Sequence, residues 1–320
     1  MFKKAFVVTA AVALIVSLFA GCGSRVVLDN DTTITEKNTK EFSSVSVSAS
    51  LSRIEFVESD QYGFELFVPG RFAPEWDITN DRLTIIENTN DFSIGLNVNL
   101  PHYYVRVYYP AGAVFKEITL RSSSGNVKLP LMNVGNLDIT TSSGDIDARA
   151  EGFSRVSMGA SSGEITFAGS GGSVDIETSS GNVVSEVGNV DSIDVTVSSG
   201  NITITGKGDK AAVLNLRTMS GAIRVDGAVW NDITTKTSSG STTIKGALLG
   251  ITSAETSSGS VNISVIGDPS EYGYTLTPSS GSIHWNGEKL SKPALSTGSF
   301  EKRHIAVSTS SGDIRVDFIQ

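Results

Sequence analysis

Cysteine is nearly missing from this chain: its single copy, Cys22, excludes a disulfide framework and any cysteine-based zinc site. Aromatic residues are also few, at 8%, while glycine numbers 32 and serine and threonine crowd the second half. Such a composition belongs to a turn-rich β protein rather than a helical bundle. Positive charge is short as well. Lys and Arg total 25 against 34 Asp and Glu, a net charge of −9, so the basic footprint that a nucleic-acid binder needs is absent. The same sign disfavours attraction to an anionic bilayer surface. A long apolar run occurs only at the start, over residues 5–20, and falls short of the ~20 residues that cross a hydrocarbon core. The length of 320 residues fits two average domains or one long single-core array.

That apolar run follows Lys3 and Lys4, is broken only by Thr9 and Ser17, and ends in small residues, the layout of a secretory signal peptide over residues 1–21. Its end, Leu18-Phe19-Ala20-Gly21-Cys22, resembles the lipobox of bacterial lipoproteins, with Phe19 where that motif usually carries leucine. The resemblance implies cleavage before Cys22, diacylglycerol and palmitate chains at that cysteine, and a protein held at the cell membrane facing outside the cytoplasm. Each buried CH₂ of such chains contributes about 0.8 kcal/mol, so two or three chains make a durable anchor. Residues 22–40 are polar and aperiodic and read as a flexible linker.

The dominant feature is a repeat. Ser-Ser-Gly recurs with its glycine at Gly125, Gly144, Gly163, Gly181, Gly200, Gly240, Gly259, Gly281 and Gly312, and Met-Ser-Gly supplies Gly221. Most copies are 18–22 residues apart, and the last interval is 31. Two places after each glycine stands a β-branched residue, from Val127 to Ile314, and only Thr242 among them is polar. Five and seven places before it lie further apolar files, such as Ile139, Val195 and Leu216, or Leu137, Ile193 and Leu214. Apolar positions two apart on either side of a glycine turn make two short, half-buried strands per repeat. A helix is excluded by this spacing and by a glycine in every copy.

Like residues recurring every 19 positions lie side by side only if the chain winds in parallel coils ~4.8 Å apart. The expected fold is therefore all-β: a single parallel β-solenoid of about ten 19-residue coils over residues 118–320. Residues 41–117 lack the tripeptide but keep the alternation, and read as N-terminal strands that cap the rod, with looser excursions at 61–80 and 87–101. One coil buries too few side chains to offset the entropy of ordering it, so stability must come from stacking. The glycine supplies a corner, and the threonines three places before it, such as Thr141, Thr218 and Thr237, can bridge coils through their hydroxyls.

With Ser142-Ser143-Gly144-Asp145-Ile146, Ser198-Ser199-Gly200-Asn201-Ile202 and Ser310-Ser311-Gly312-Asp313-Ile314 in view, the chain resembles the bacterial putative-adhesin family of repeat domains of unknown function. The resemblance covers nearly all of the mature chain. It implies a secreted or membrane-anchored β-solenoid and supplies no catalytic residue.

Catalytic and ligand motifs are weak. Gly159-Ala160-Ser161-Ser162-Gly163 satisfies G-x-S-x-G, but that motif needs a strand-turn-helix elbow, and Ser161 is already a member of the repeated turn. Gly206-Lys207-Gly208-Asp209-Lys210-Ala211 imitates a dinucleotide loop without the following helix. Neither His102, His284 nor His304 has metal-ligand spacing, and Gly171-Gly172-Ser173-Val174-Asp175 echoes a calcium repeat only once. No catalytic, cofactor or metal residue is expected. The outward file four places before each glycine mixes Arg121, Glu177, Arg217, Lys236 and Glu255 with hydroxyls, unlike a flat ice-matching plane. The expected function is a non-enzymatic, lipid-anchored, adhesin-like scaffold or envelope-stress accessory. Its polar face would meet a surface glycan or an envelope protein, and no nucleic acid. The alternative is a polysaccharide-active β-helix enzyme with its site near the 285–303 loop.

Overall fold

The computed structural model describes residues 31–69, 74–87, 102–210, 212–295 and 303–319. The described residues form one all-β assembly in which 25 strands join a single continuous sheet. The only helical element among them is a short 3-10 turn at Pro269–Glu271.

The pairing is overwhelmingly parallel and in register with the repeat. After the corner, Val127, Ile146, Ile165, Val183, Ile202, Ile223, Thr242 and Val261 follow one another as strand-to-strand partners. Before the corner, Leu137, Val156, Val174, Ile193, Leu214, Ile233 and Thr252 form a second file. Both files face inward, and the core lies between them: Ile146, Ile193, Ile202, Leu214 and Ile233 are each at most 1% exposed. Register is fixed because slipping one strand by one residue would turn that buried set to solvent. The result is a solenoid-like stack whose layers share one apolar seam. Trp230, at 1% exposure, fills the seam where Gly206, Gly227 and Gly246 leave room; a Cβ on any of them would lie within 2.8 Å of the indole.

The stack does not follow chain order to its end. Ile314 sits between Val261 and Ile283, and Ile305 sits between Thr252 and Tyr274, so the layer cornered by Gly312 is inserted between those of Gly259 and Gly281. The chain steps over one layer around Pro269–Glu271, builds the Gly281 layer outermost, and returns to fill the gap. An antiparallel hairpin, Ile283–Trp285 with Glu288–Leu290, follows the outer layer. Asn286 and Gly287, at φ 48° and 84°, form its tip, the left-handed pair that a two-residue hairpin turn requires. Trp285 packs on Tyr274 at 4.2 Å and Phe318 at 5.1 Å between ring centroids.

At the other end, Ser44–Ala49 pairs in parallel with Val114–Ser122, and Arg53–Ser59 with the start of Val127–Thr141. These two strands make a further layer, with Ser52 at the corner in place of glycine. Its carbonyl oxygen lies 2.0 Å from where a Cβ on Gly125 would fall. Arg82–Ile86 and Tyr104–Pro110 stack outside it. Antiparallel strands Glu75–Thr79, Gly63–Pro69 and Asp31–Lys37 then continue the sheet.

Two expectations change here. Residues 63–69 and 75–79, within the expected excursion at 61–80, are strands. Residues 31–37, expected as part of the flexible linker 22–40, also form a strand: β-branched Thr32, Thr33, Ile34 and Thr35 pair with Gly63–Pro69, and Ile34 is buried at 8% exposure. Residues 88–101 and Cys22 lie outside the described residues.

Candidate ligand-binding face

The repeated corner is consumed by stacking. At Gly200 φ is +153°, and a Cβ would lie 2.0 Å from the carbonyl oxygen of Gly181; Gly240 meets Gly221 in the same way at 1.9 Å. The same contact links Gly125, Gly144, Gly163, Gly181, Gly200, Gly221, Gly240, Gly259, Gly312 and Gly281, in that spatial order. Thr218, Thr237, Thr256 and Thr309 donate their hydroxyls to the carbonyls of Gly200, Gly221, Gly240 and Gly259 at 3.1–3.2 Å. The residue after the glycine also has a fixed task. Asn126 Oδ1 accepts the Asp145 N–H at 2.9 Å, Asp145 accepts that of Glu164 at 2.9 Å, and Asn182 accepts that of Asn201 at 3.0 Å. The Asp or Asn of the motif is therefore a coil-to-coil acceptor. Ser161 lies at such a corner, at the end of Ile146–Ser162, with a strand rather than a helix after it.

Because inward and outward positions alternate, the residues four and two places before each corner face solvent. Across Ser192–Ser199, Ala212–Ser220, Ile223–Ser239, Ile251–Ser258 and His304–Ser311 they line an open groove of about 580 Å³. In one file Thr196, Arg217, Lys236, Glu255 and Ser308 are direct strand-to-strand neighbours. Four interstrand steps make this file roughly 19 Å long. Beside it run Ser198, Met219, Ser238, Ser257 and Ser310. Lys236 Nζ lies 2.8 Å from Glu255, whereas Arg217 has no ion pair among the described residues. Met219 interrupts the serines and is 59% exposed.

Other clusters are closed on themselves. Near the N-terminal end, Arg106 stacks over Tyr104 at 3.9 Å and donates to Glu55 at 2.9 Å, while Tyr104 and Tyr108 both donate to Glu65. Burial, and then the Glu65 carboxylate, raise the Tyr104 phenol above its usual range. A cavity of about 290 Å³ lies alongside, between Lys37, Asp60, Gln61, Tyr62 and Tyr108. The histidines are dispersed: His102 is exposed, His284 faces Lys289 and Arg315 across its strand, and His304 Nε2 is 3.0 Å from the Thr275 hydroxyl. Among the described residues no group of three or more His, Cys, Asp or Glu is placed to hold a metal ion. None of their helices is long and apolar enough to cross a membrane. In the 285–303 region the structure describes the hairpin and Ala294–Leu295; residues 296–302 lie outside the described residues.

The chain is similar to several solved structures of low identity. A putative adhesin from Bacteroides fragilis is 11% identical, over 90% of this chain and 97% of that one, with a TM-score of 0.38. A putative adhesin from Parabacteroides distasonis is 15% identical, over 91% and 98%, with a TM-score of 0.36. A putative lipid binding protein from the same organism is 14% identical, over 89% and 96%, with a TM-score of 0.38. At these identities and scores no residue correspondence follows. No curated protein matches significantly. The family model described as Toastrack DUF4097 matches twice, over residues 29–227 and 172–317. Those matches span almost the whole stack, and the chain belongs to the Toastrack DUF4097 family.

Proposed function

We propose that this protein is a non-enzymatic, lipid-anchored, adhesin-like β-solenoid that works outside the cytoplasm at the cell membrane. It holds one outward face to a glycan or protein of the envelope. The observation that carries this reading is the groove of about 580 Å³ that crosses five stacked strands with hydroxyl and charged side chains facing out. The glycine of the motif, the Asp or Asn after it and the threonine three places before it are engaged in stacking, which leaves the outward file and the first serine of the motif for recognition. A rigid stack suits that task because it orders the face before a partner arrives and lowers the entropy cost of binding.

Anchoring rests on Cys22, the one cysteine, at the end of the apolar run. From Cys22 to the strand Asp31–Lys37 is a short tether, on the order of 30 Å when fully extended. The N-terminal end of the stack would then hang close to the bilayer, with the groove and the Gly281 layer further out. The variant Cys22→Ser tests the anchor: it is expected in the medium or as uncleaved precursor. Unchanged membrane retention would overturn it.

A further inference from the structure

We propose that the groove takes a carboxylate-bearing polysaccharide and that Arg217 is the residue that selects the acid. This rests on the binding-face reading above. The chain as a whole is acidic, at −9, yet the middle of the groove holds Arg217 directly opposite Lys236. Like charges facing each other across neighbouring strands are destabilising. Lys236 is compensated by Glu255 at 2.8 Å. Arg217 is not: its other strand neighbour is Thr196, and no described residue forms an ion pair with it. Elsewhere on this outer face arginines are neutralised, Arg121 by Asp138 at 3.5 Å and Arg155 by Asp175 at 3.1 Å. An unpaired guanidinium offers a planar fork of N–H donors that matches a carboxylate with two parallel hydrogen bonds.

The surroundings favour a sugar acid over an acidic peptide. The hydroxyls of Ser198, Ser238 and Ser257 line the groove, and each can donate and accept, as sugar hydroxyls do. Met219, exposed beside Arg217, offers an apolar surface to the C–H face of a sugar ring. An extended peptide that binds by strand addition needs main-chain partners along a free sheet edge. Every strand under the groove is already paired in parallel on both sides, so it offers none.

Calorimetric titration of the full chain carrying Cys22→Ser tests this, with oligogalacturonate and oligomannuronate as acidic probes. Their methyl esters serve as neutral controls and poly-Glu as the peptide. The acids should bind, the esters should bind about tenfold more weakly or worse, and raised salt should weaken only the acids. Arg217→Ala should cost about tenfold in affinity at a melting temperature no lower than the parent's, since it also relieves the repulsion with Lys236, and Arg217→Lys should fall between. Equal binding of acid and ester, an Arg217→Ala variant that binds like its parent, equal or tighter binding of poly-Glu, or no binding of either acid would overturn the proposal. Ser238-dependent binding of the esters alone would sink the acid selection and leave the binding face standing. Binding indifferent to every groove residue would sink both.

Discussion

At the scale of single residues, the stack separates glycines needed for space from those needed only for backbone angle. Gly200→Ala places a Cβ against the Gly181 carbonyl and at a φ that side chains resist, so unfolding should come earlier by about 2–5 kcal/mol. At Gly112, with φ +75° and nothing within 4 Å, alanine should cost only about 1 kcal/mol. Equal urea midpoints for the two variants would contradict this distinction. The threonines divide similarly. Thr237 donates to Gly221 and should lose about 1 kcal/mol as valine, whereas Thr235 is wholly buried, its hydroxyl has no partner among the described residues, and it should gain about 1 kcal/mol. Opposite signs in thermal unfolding are the expected outcome; a loss in both would remove the distinction between them. The corner glycines were legible in the sequence because each recurs in the tripeptide, where a Cβ would meet the carbonyl of the layer before. Ser52 was not, since Ser50-Leu51-Ser52 lacks the glycine on which the copies align.

At the scale of elements, the Asp or Asn ladder explains half of the motif and ties the inserted layer in place. Asp313 Oδ1 accepts the Ser282 N–H at 2.7 Å and its hydroxyl at 2.8 Å, joining the Gly312 layer to the Gly281 layer. Chiefly because of that backbone hydrogen bond, the Asp313 carboxyl is held below its usual range. With the folded value below the unfolded one, its stabilisation is complete above about pH 4 and is lost as the pH falls through the folded value. Asp313→Asn keeps the acceptor without the titration, so its stability should fall less steeply below about pH 4 than that of the parent. An identical acid limb would contradict this role. The strands were legible because their alternation is strict; their order was not. The Gly281 and Gly312 coils present the same inward pattern to a neighbour, so periodicity alone does not choose which one stacks on Gly259. The Asn286-Gly287 turn was the available sign of a hairpin beyond the Gly281 corner. The groove was legible only as an outward file; the isolation of Arg217 depends on which side chains meet across layers.

At the scale of the whole molecule, the inserted C-terminal layer makes the stack non-modular at that end. A chain stopped after Arg303 loses Ile305, Val307, Ile314 and Val316, all at most 2% exposed, and bares the edges of Ile251–Ser258 and Val261–Ile266. It also detaches the Gly281 layer, which docks through the missing strands. Such edges are templates for strand addition, so the truncated chain should elute as large aggregates in size-exclusion chromatography. A soluble monomer with near-parental melting would show that the insertion is dispensable.

The claim that the outward groove is the functional surface is tested most directly by binding of the labelled Cys22→Ser chain to isolated cell envelopes, beside the same chain carrying Ser198→Glu, Ser238→Glu and Ser257→Glu. Parental binding with at least a tenfold loss in the triple variant, at matched melting temperatures, is the predicted result. A triple variant that binds envelopes as well as its parent would show that the groove is not the functional surface.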